Sequence, residues 1–148
     1  MTPNQHISLL GGIMTNLHYL EFKLRRFLLN AQKIDTTELW DEWHGLKLGA
    51  VVPANRLTDY SSLGKLIEDY NKLVPAEHQV ALAVVDLRDA LAHGRVTTLG
   101  SFPMKLVKFS KVVGGKVTVE FAQTLGTEWM HEQMKWVVTQ HERIPNGN

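Results

Sequence analysis

The 148-residue sequence contains no cysteine. Disulfides, thiolate zinc sites and thiol nucleophiles are therefore excluded, and the absence fits a reducing compartment. It also lacks an excess of either charge. Sixteen Lys and Arg against 15 Asp and Glu leave a net charge of +1, so this is no polycation and any nucleic-acid contact must come from a local patch. No apolar run approaches the roughly 20 residues needed to span a bilayer, and Met1-Thr2-Pro3-Asn4-Gln5-His6 lacks the basic stretch and cleavage site of a signal peptide. Internal repeats and low-complexity stretches are absent. The one double glycine outside the first long element is Gly114-Gly115, so no phosphate-cradling loop is visible. The expectation is a cytoplasmic protein with no cofactor, no metal and no membrane partner.

What remains is ordinary globular usage. Hydrophobic residues make up 44% and charged residues 21%, enough for one domain, residues 1–148, to bury a core without covalent staples. From Pro3 to Lys33, the residues Ile7, Leu10, Met14, Leu17, Leu24, Leu28 and Ala31 keep a three-then-four spacing. Ile13, Leu20 and Phe27 widen the stripe, which predicts a helix burying a broad face. Thr2-Pro3-Asn4-Gln5 fits a capping box with proline at the first helical position. Gly11-Gly12 weakens the early turns and calls for either close packing or a bend.

Asp35-Thr36-Thr37-Glu38 suggests a second capping box opening a short helix through Leu39, Trp40 and Trp43. Residues 47–60 hold Pro53, Asn55 and Asp59 and read as a loop, long enough to be a functional one. Leu63, Leu66, Ile67, Tyr70 and Leu73 mark a helix from Ser61 or Ser62 to Val74, stopped by Pro75. The same proline can open the next helix. Its inward residues would be Val80, Ala81, Val84, Leu87 and Leu91, with Gly94 as a left-handed terminator. After Pro103 the period shortens to two. Val107 and Phe109 alternate with lysines, as do Val117, Val119 and Phe121 with polar residues. Gly114-Gly115 between them predicts a hairpin over about 104–122 with a primed turn. A last helix from about Thr127 to His141 and a frayed tail, residues 143–148, complete a mainly α architecture: a helical bundle with a β-hairpin inserted before the last helix.

Chemistry concentrates at the end of the fourth predicted helix. His93 stands one residue before Gly94, Asp89 lies four residues earlier on the same face, and Arg88 is one position round the helix. Together they offer a proton-transfer group, a carboxylate to orient it and a planar cation suited to phosphate. The same residues also suit a solvated helix end, where the dipole favours histidine. With six arginines and seven histidines in the chain, about one such Arg-to-His spacing is expected by chance. The weight therefore rests on the setting at the end of an apolar helix.

In that setting Leu87-Arg88-Asp89-Ala90-Leu91-Ala92-His93-Gly94 resembles the Arg-x4-His site of the HEPN superfamily. The preceding Ser62-Leu63-Gly64-Lys65-Leu66-Ile67 is similar to the stretch before that family's signature helix, and the resemblance covers about residues 61–95. It implies a HEPN-like helical bundle, a homodimer whose protomers share one cleft, and metal-independent RNA cleavage by 2′-hydroxyl attack. Carried over, His93 is the general base or acid, Arg88 stabilises charge on phosphate, and Asp89 positions His93. Aspartate follows Arg88 where the family more often has asparagine. A toxin or defence component with an antitoxin protein as partner is one implied setting. The rival is a non-catalytic HEPN-like module binding RNA or protein, and a third possibility is a helical dimerisation protein in which the three residues only cap and solvate a helix.

Several further residues carry two readings each. Arg95 extends the cluster toward RNA phosphates or is an exposed loop arginine. Lys23, Arg25, Arg26 and Lys33 form a nucleic-acid face or a solvated helix face. Tyr60 and Tyr70 offer base stacking, although Tyr70 falls on the apolar side. Glu128-Trp129-Met130-His131 has di-iron spacing but no second copy, and His131-Glu132 lacks the second histidine of a zinc protease motif.

Overall fold

A computed structural model describes residues 2–34, 43–97 and 103–146. The expected helix through Leu39 and Trp40 falls outside them. Among the described residues the protein is mainly α. Helices α1 (Pro3–Ala31), α2 (Leu63–Asn71), α3 (Val84–His93) and α4 (Thr127–Glu142) accompany strands β1 (Arg95–Thr97), β2 (Lys105–Phe109) and β3 (Val119–Thr124). The chain divides into two compact units, residues 1–18 with 83–139 and residues 19–82 with 140–148. No described helix is long and apolar enough to cross a membrane.

The first unit holds the start of α1, all of α3, the sheet and most of α4. The capping box forms as the sequence predicts. Thr2 N–H donates to Gln5 Oε1 at 2.9 Å, and Gln5 N–H donates to Thr2 Oγ1 at 3.2 Å. Helix α1 then runs unbroken through Gly11-Gly12, and close packing accounts for Gly12 alone, since Gly11 has open space around it. A Cβ on Gly12 would stand 3.0 Å from Met134 Sδ. The buried side follows the expected stripe at Ile13 and Leu17 and departs from it in the first turn, where His6 is buried and Ile7 is 65% exposed.

The sheet is antiparallel in the order β1-β2-β3. The predicted turn is present, with φ of 58° at Gly114 and 74° at Gly115, as a primed turn requires. Two features depart from expectation. Residues 95–97 add a third strand by pairing with Val107, Leu106 and Lys105. The strand parity also favours Leu106, which is fully buried, while Phe109 is 39% exposed. A register irregularity between Lys108 and Phe109 shifts the pairing with β3, as a bulge does.

The second unit is built on the rest of α1, with Leu20, Leu24, Leu28 and Leu29 buried, and on α2, with Leu63, Leu66, Ile67 and Tyr70 buried. Each such side chain contributes on the order of 1.5–3 kcal/mol by leaving water. Ser62 caps α2 by accepting from Lys65 N–H at 3.3 Å. Residues 47–60 are irregular, as expected, and are tied to α1 by Arg25 (below).

The helix predicted to run from Pro75 is interrupted. A single 3-10 turn covers Ala76–His78, and regular α-helix begins only at Val84. The backbone between has found other partners. Asn71 accepts from Val80 N–H at 2.9 Å and donates to Val80 C=O at 2.9 Å. Ala81 N–H donates to Gln140 Oε1 at 2.9 Å, and Arg143 donates to Gln79 C=O at 2.9 Å. Side chains thus satisfy groups that a helix would have paired internally. The same contacts pin the expected frayed tail as far as Ile144, which is buried.

Candidate functional site

Val84, Leu87 and Ala90 hold α3 down as its buried side. Arg88 and Asp89 are half-buried on the flanks, and His93 in the last turn is exposed. Arg88 and His93 are five residues apart, about 7.5 Å along the axis and about 140° around it. Asp89 and His93 are only about 40° apart in the same projection.

The carboxylate does not go where the sequence suggests. Arg88 donates to Asp89 Oδ1 at 3.0 Å, and among the described residues Asp89 has no hydrogen bond to His93. Adjacent positions on a helix let the long guanidinium fold sideways onto the aspartate. Both side chains keep over 30% exposure, so this pair is worth about 0–1 kcal/mol. A phosphate accepting a charge-assisted hydrogen bond of about 1.5–3 kcal/mol competes well for the same guanidinium.

Gly94 closes the helix by a route other than the expected left-handed cap. Its N–H donates to Ala90 C=O at 2.8 Å, but its φ of −71° and ψ of 167° are extended. Absence of a side chain is required instead by close approach. A Cβ there would stand 2.3 Å from Ala90 O and 2.5 Å from Leu106 Cδ1. The glycine lets the chain turn straight from α3 into β1, placing Arg95 two residues after His93. Arg95 is exposed, with its guanidinium 5.8 Å from the centre of the Phe109 ring. Beside α3 lies an open depression of about 500 Å³ lined by Asp86, Lys108, Glu120 and Phe121, in which Lys108 and Glu120 pair at 3.2 Å.

The cations of α1 behave differently. Arg25 is an internal anchor. It donates to Glu21 Oε1 at 3.0 Å, to Arg56 C=O at 2.9 Å, to Asp59 C=O at 3.2 Å, to Asp59 Oδ1 at 2.9 Å and to Ser61 C=O at 2.9 Å. Burial pushes the Asp59 carboxyl up, but bonds from Ser61 and Arg25 outweigh it and hold the group below its ordinary value. Lys23 donates to His141 C=O at 2.7 Å. Burial pulls its ammonium pKa down, with Glu142 opposing and Arg26 adding to the shift. Neither Lys23 nor Arg25 belongs to an open nucleic-acid face or to a merely solvated one. Tyr70 is fully buried and donates to His78 C=O at 3.0 Å, and burial raises its pKa to about 12. Tyr60 is fully exposed.

Compared with family models, with curated proteins and with solved structures, the chain finds no match in any of the three. The structure brings Arg88 and Asp89 into contact and leaves His93 and Arg95 open on the same unit. Sequence reasoning missed Phe109 as a partner of Arg95, and missed Asp86 on α3 with Lys108 and Glu120 beside it. The sequence signal for Phe109 and Lys108 was the alternation in 105–109, whose parity is decided by Leu106 packing against Gly94.

Proposed function

We propose that the protein is a HEPN-like, metal-independent endoribonuclease working as a homodimer, with Arg88 and His93 as its reacting groups. One observation carries this reading. The apolar side of α3 is buried while its Arg88 guanidinium and His93 imidazole stay open to a polyanion. The reaction is transesterification within the RNA. The 2′-oxygen bonds to the adjacent phosphorus, the P–O5′ bond breaks, and the products are a 2′,3′-cyclic phosphate and a free 5′-hydroxyl. A neutral His93 takes the 2′-hydroxyl proton, and a protonated His93 from the second copy gives one to the leaving 5′-oxygen. Arg88 stabilises the charge gathering on the phosphate oxygens. The divergence of about 140° between Arg88 and His93 on one helix favours a site composed from two copies. Asp89, bonded to Arg88, acts by aiming the guanidinium instead of the imidazole. The resemblance in residues 61–95 supports the superfamily assignment, and a toxin or defence role with an antitoxin partner is the setting that resemblance suggests.

The test is incubation of labelled RNA with purified protein in excess EDTA, beside His93→Ala and Arg88→Ala variants. Wild type should cleave and leave cyclic-phosphate ends. His93→Ala should fall at least 100-fold, in line with the usual contribution of proton transfer. Equal cleavage by wild type and His93→Ala sinks the catalytic reading. RNA binding without cleavage, lost in Arg88→Ala, would instead identify a non-catalytic RNA-binding module.

A further inference from the structure

The β-sheet has one side turned toward Leu106 and α3 and another turned outward. Register assigns the outward side. Arg95, Val107 and Ala122 lie across it in one row, Lys105 and Thr124 fall in the next, and Phe109 continues along β2. All are exposed except the half-buried Val107. This side carries no carboxylate among the described sheet residues. Glu120, the one acid in β3, pairs with Lys108 on the opposite side.

We propose that this outward face is a binding platform for single-stranded RNA, with Phe109 and Arg95 stacking on bases and Lys105 meeting phosphate. The proposal rests on the RNA-directed reading of α3 and names the form of RNA and the surface that holds it. Three features carry it. The first is charge: cations without neighbouring carboxylates complement a polyanion, whereas the α3 side of the sheet mixes Asp86, Lys108 and Glu120. The second is the Arg95–Phe109 pair, 5.8 Å from guanidinium to ring centre. A guanidinium over a ring presents planar surface to an unpaired base, and aromatic faces with interleaved cations are how single strands are held without sequence readout. The third is continuity of the chain: Gly94 joins α3 directly to β1, so Arg95 follows His93 by two residues. Duplex RNA, whose bases are stacked inside, cannot use Phe109.

The experiment measures fluorescence anisotropy of a labelled oligouridine and of a duplex of equal length, in EDTA, on full-length protein carrying His93→Ala so that nothing is cut. The single strand should bind more tightly than the duplex. Adding Phe109→Ala should weaken single-strand binding about tenfold. Adding Lys105→Ala should flatten the log–log salt dependence by about 0.7. Thermal unfolding of each variant checks that the fold is kept, and the exposed Lys105 keeps the test open if Phe109→Ala unfolds. Single-strand binding that neither substitution changes overturns the platform while leaving the RNA reading intact. No RNA binding by the His93→Ala protein overturns the platform, and if wild type also leaves RNA uncut the RNA reading fails with it. Loss of self-association in Phe109→Ala, with RNA binding unchanged, makes the face a protein interface and also overturns the platform.

Discussion

Arg25 and Arg88 are the same residue type on helices of similar amphipathic character, yet the fold uses them in opposite ways. Arg25 is 12% exposed and its donors are spread over Glu21, Arg56, Asp59 and Ser61. It fastens an irregular segment to α1 by satisfying carbonyls that have no sheet or helix partner. Arg88 is 39% exposed and bonds to the neighbouring Asp89. The first guanidinium is consumed by structure; the second is held in place and left available. A basic residue in a sequence is therefore evidence for a polyanion site only after the backbone acceptors around it have been accounted for.

The largest expected effect tests that contrast directly. Arg25→Ala should destabilise the protein by about 3 kcal/mol, because it strands a carboxylate and several carbonyls in partly buried positions. Arg88→Ala should stay within about 0.5 kcal/mol, as an exposed adjacent pair allows. Urea midpoints at constant slope measure both. Equal losses for the two variants would erase the distinction.

Gly94→Ala comes next, at about 2 kcal/mol, since the new methyl must push against Ala90 O and Leu106 Cδ1. The substitution should also disturb β1 and so Arg95. Circular dichroism melting gives the stability, and a Tm unchanged from wild type would mean that β2 yields easily there.

The smallest effect is a pH dependence in the second unit. Burial, with Lys23 nearby, holds His141 below its ordinary value of 6.5, and burial lowers His6 in the first unit as well. A histidine whose folded pKa is depressed takes up its proton first in the unfolded chain. Its contribution is complete above pH 6.5 and is lost as the pH falls from there toward the folded pKa. Asp59 and Asp69, both held low, add a further loss as the pH falls below their ordinary 3.8. Unfolding free energies from pH 8 to 3 should decline in these two stages. Arg88→Ala should leave the upper stage unchanged and His141→Asn should shrink it. A flat profile between pH 7 and 5 would contradict the burial assigned to these imidazoles.

Local rules carried the sequence reading where local chemistry decides. The Thr2–Gln5 capping box and the Gly114-Gly115 turn each depend on a few adjacent residues, and both are present, whereas the helix expected to reach Val74 already ends at Asn71. Long-range partners defeated it elsewhere. The helix expected from Pro75 gives way where Asn71, Gln140 and Arg143 supply hydrogen bonds from distant positions. The parity of β2 follows Leu106, which fits because Gly94 has no side chain. Strand β1, described over Arg95–Thr97, exists because β2 offers it an edge. At the candidate site, the helix end with Arg88, Asp89 and His93 was legible, but the direction of the Asp89 bond was not. Spacing places Asp89 below His93, whereas the reach of the guanidinium decides the pairing.

The proposed function requires that the end of α3 be kept for chemistry and not for stability. Its most direct test is a paired measurement on His93→Ala: the urea unfolding midpoint and the rate of RNA cleavage in EDTA on the same preparation. An unchanged midpoint with cleavage reduced at least 100-fold is the expected result. A lowered midpoint with undiminished cleavage would contradict the claim and make His93 a helix cap.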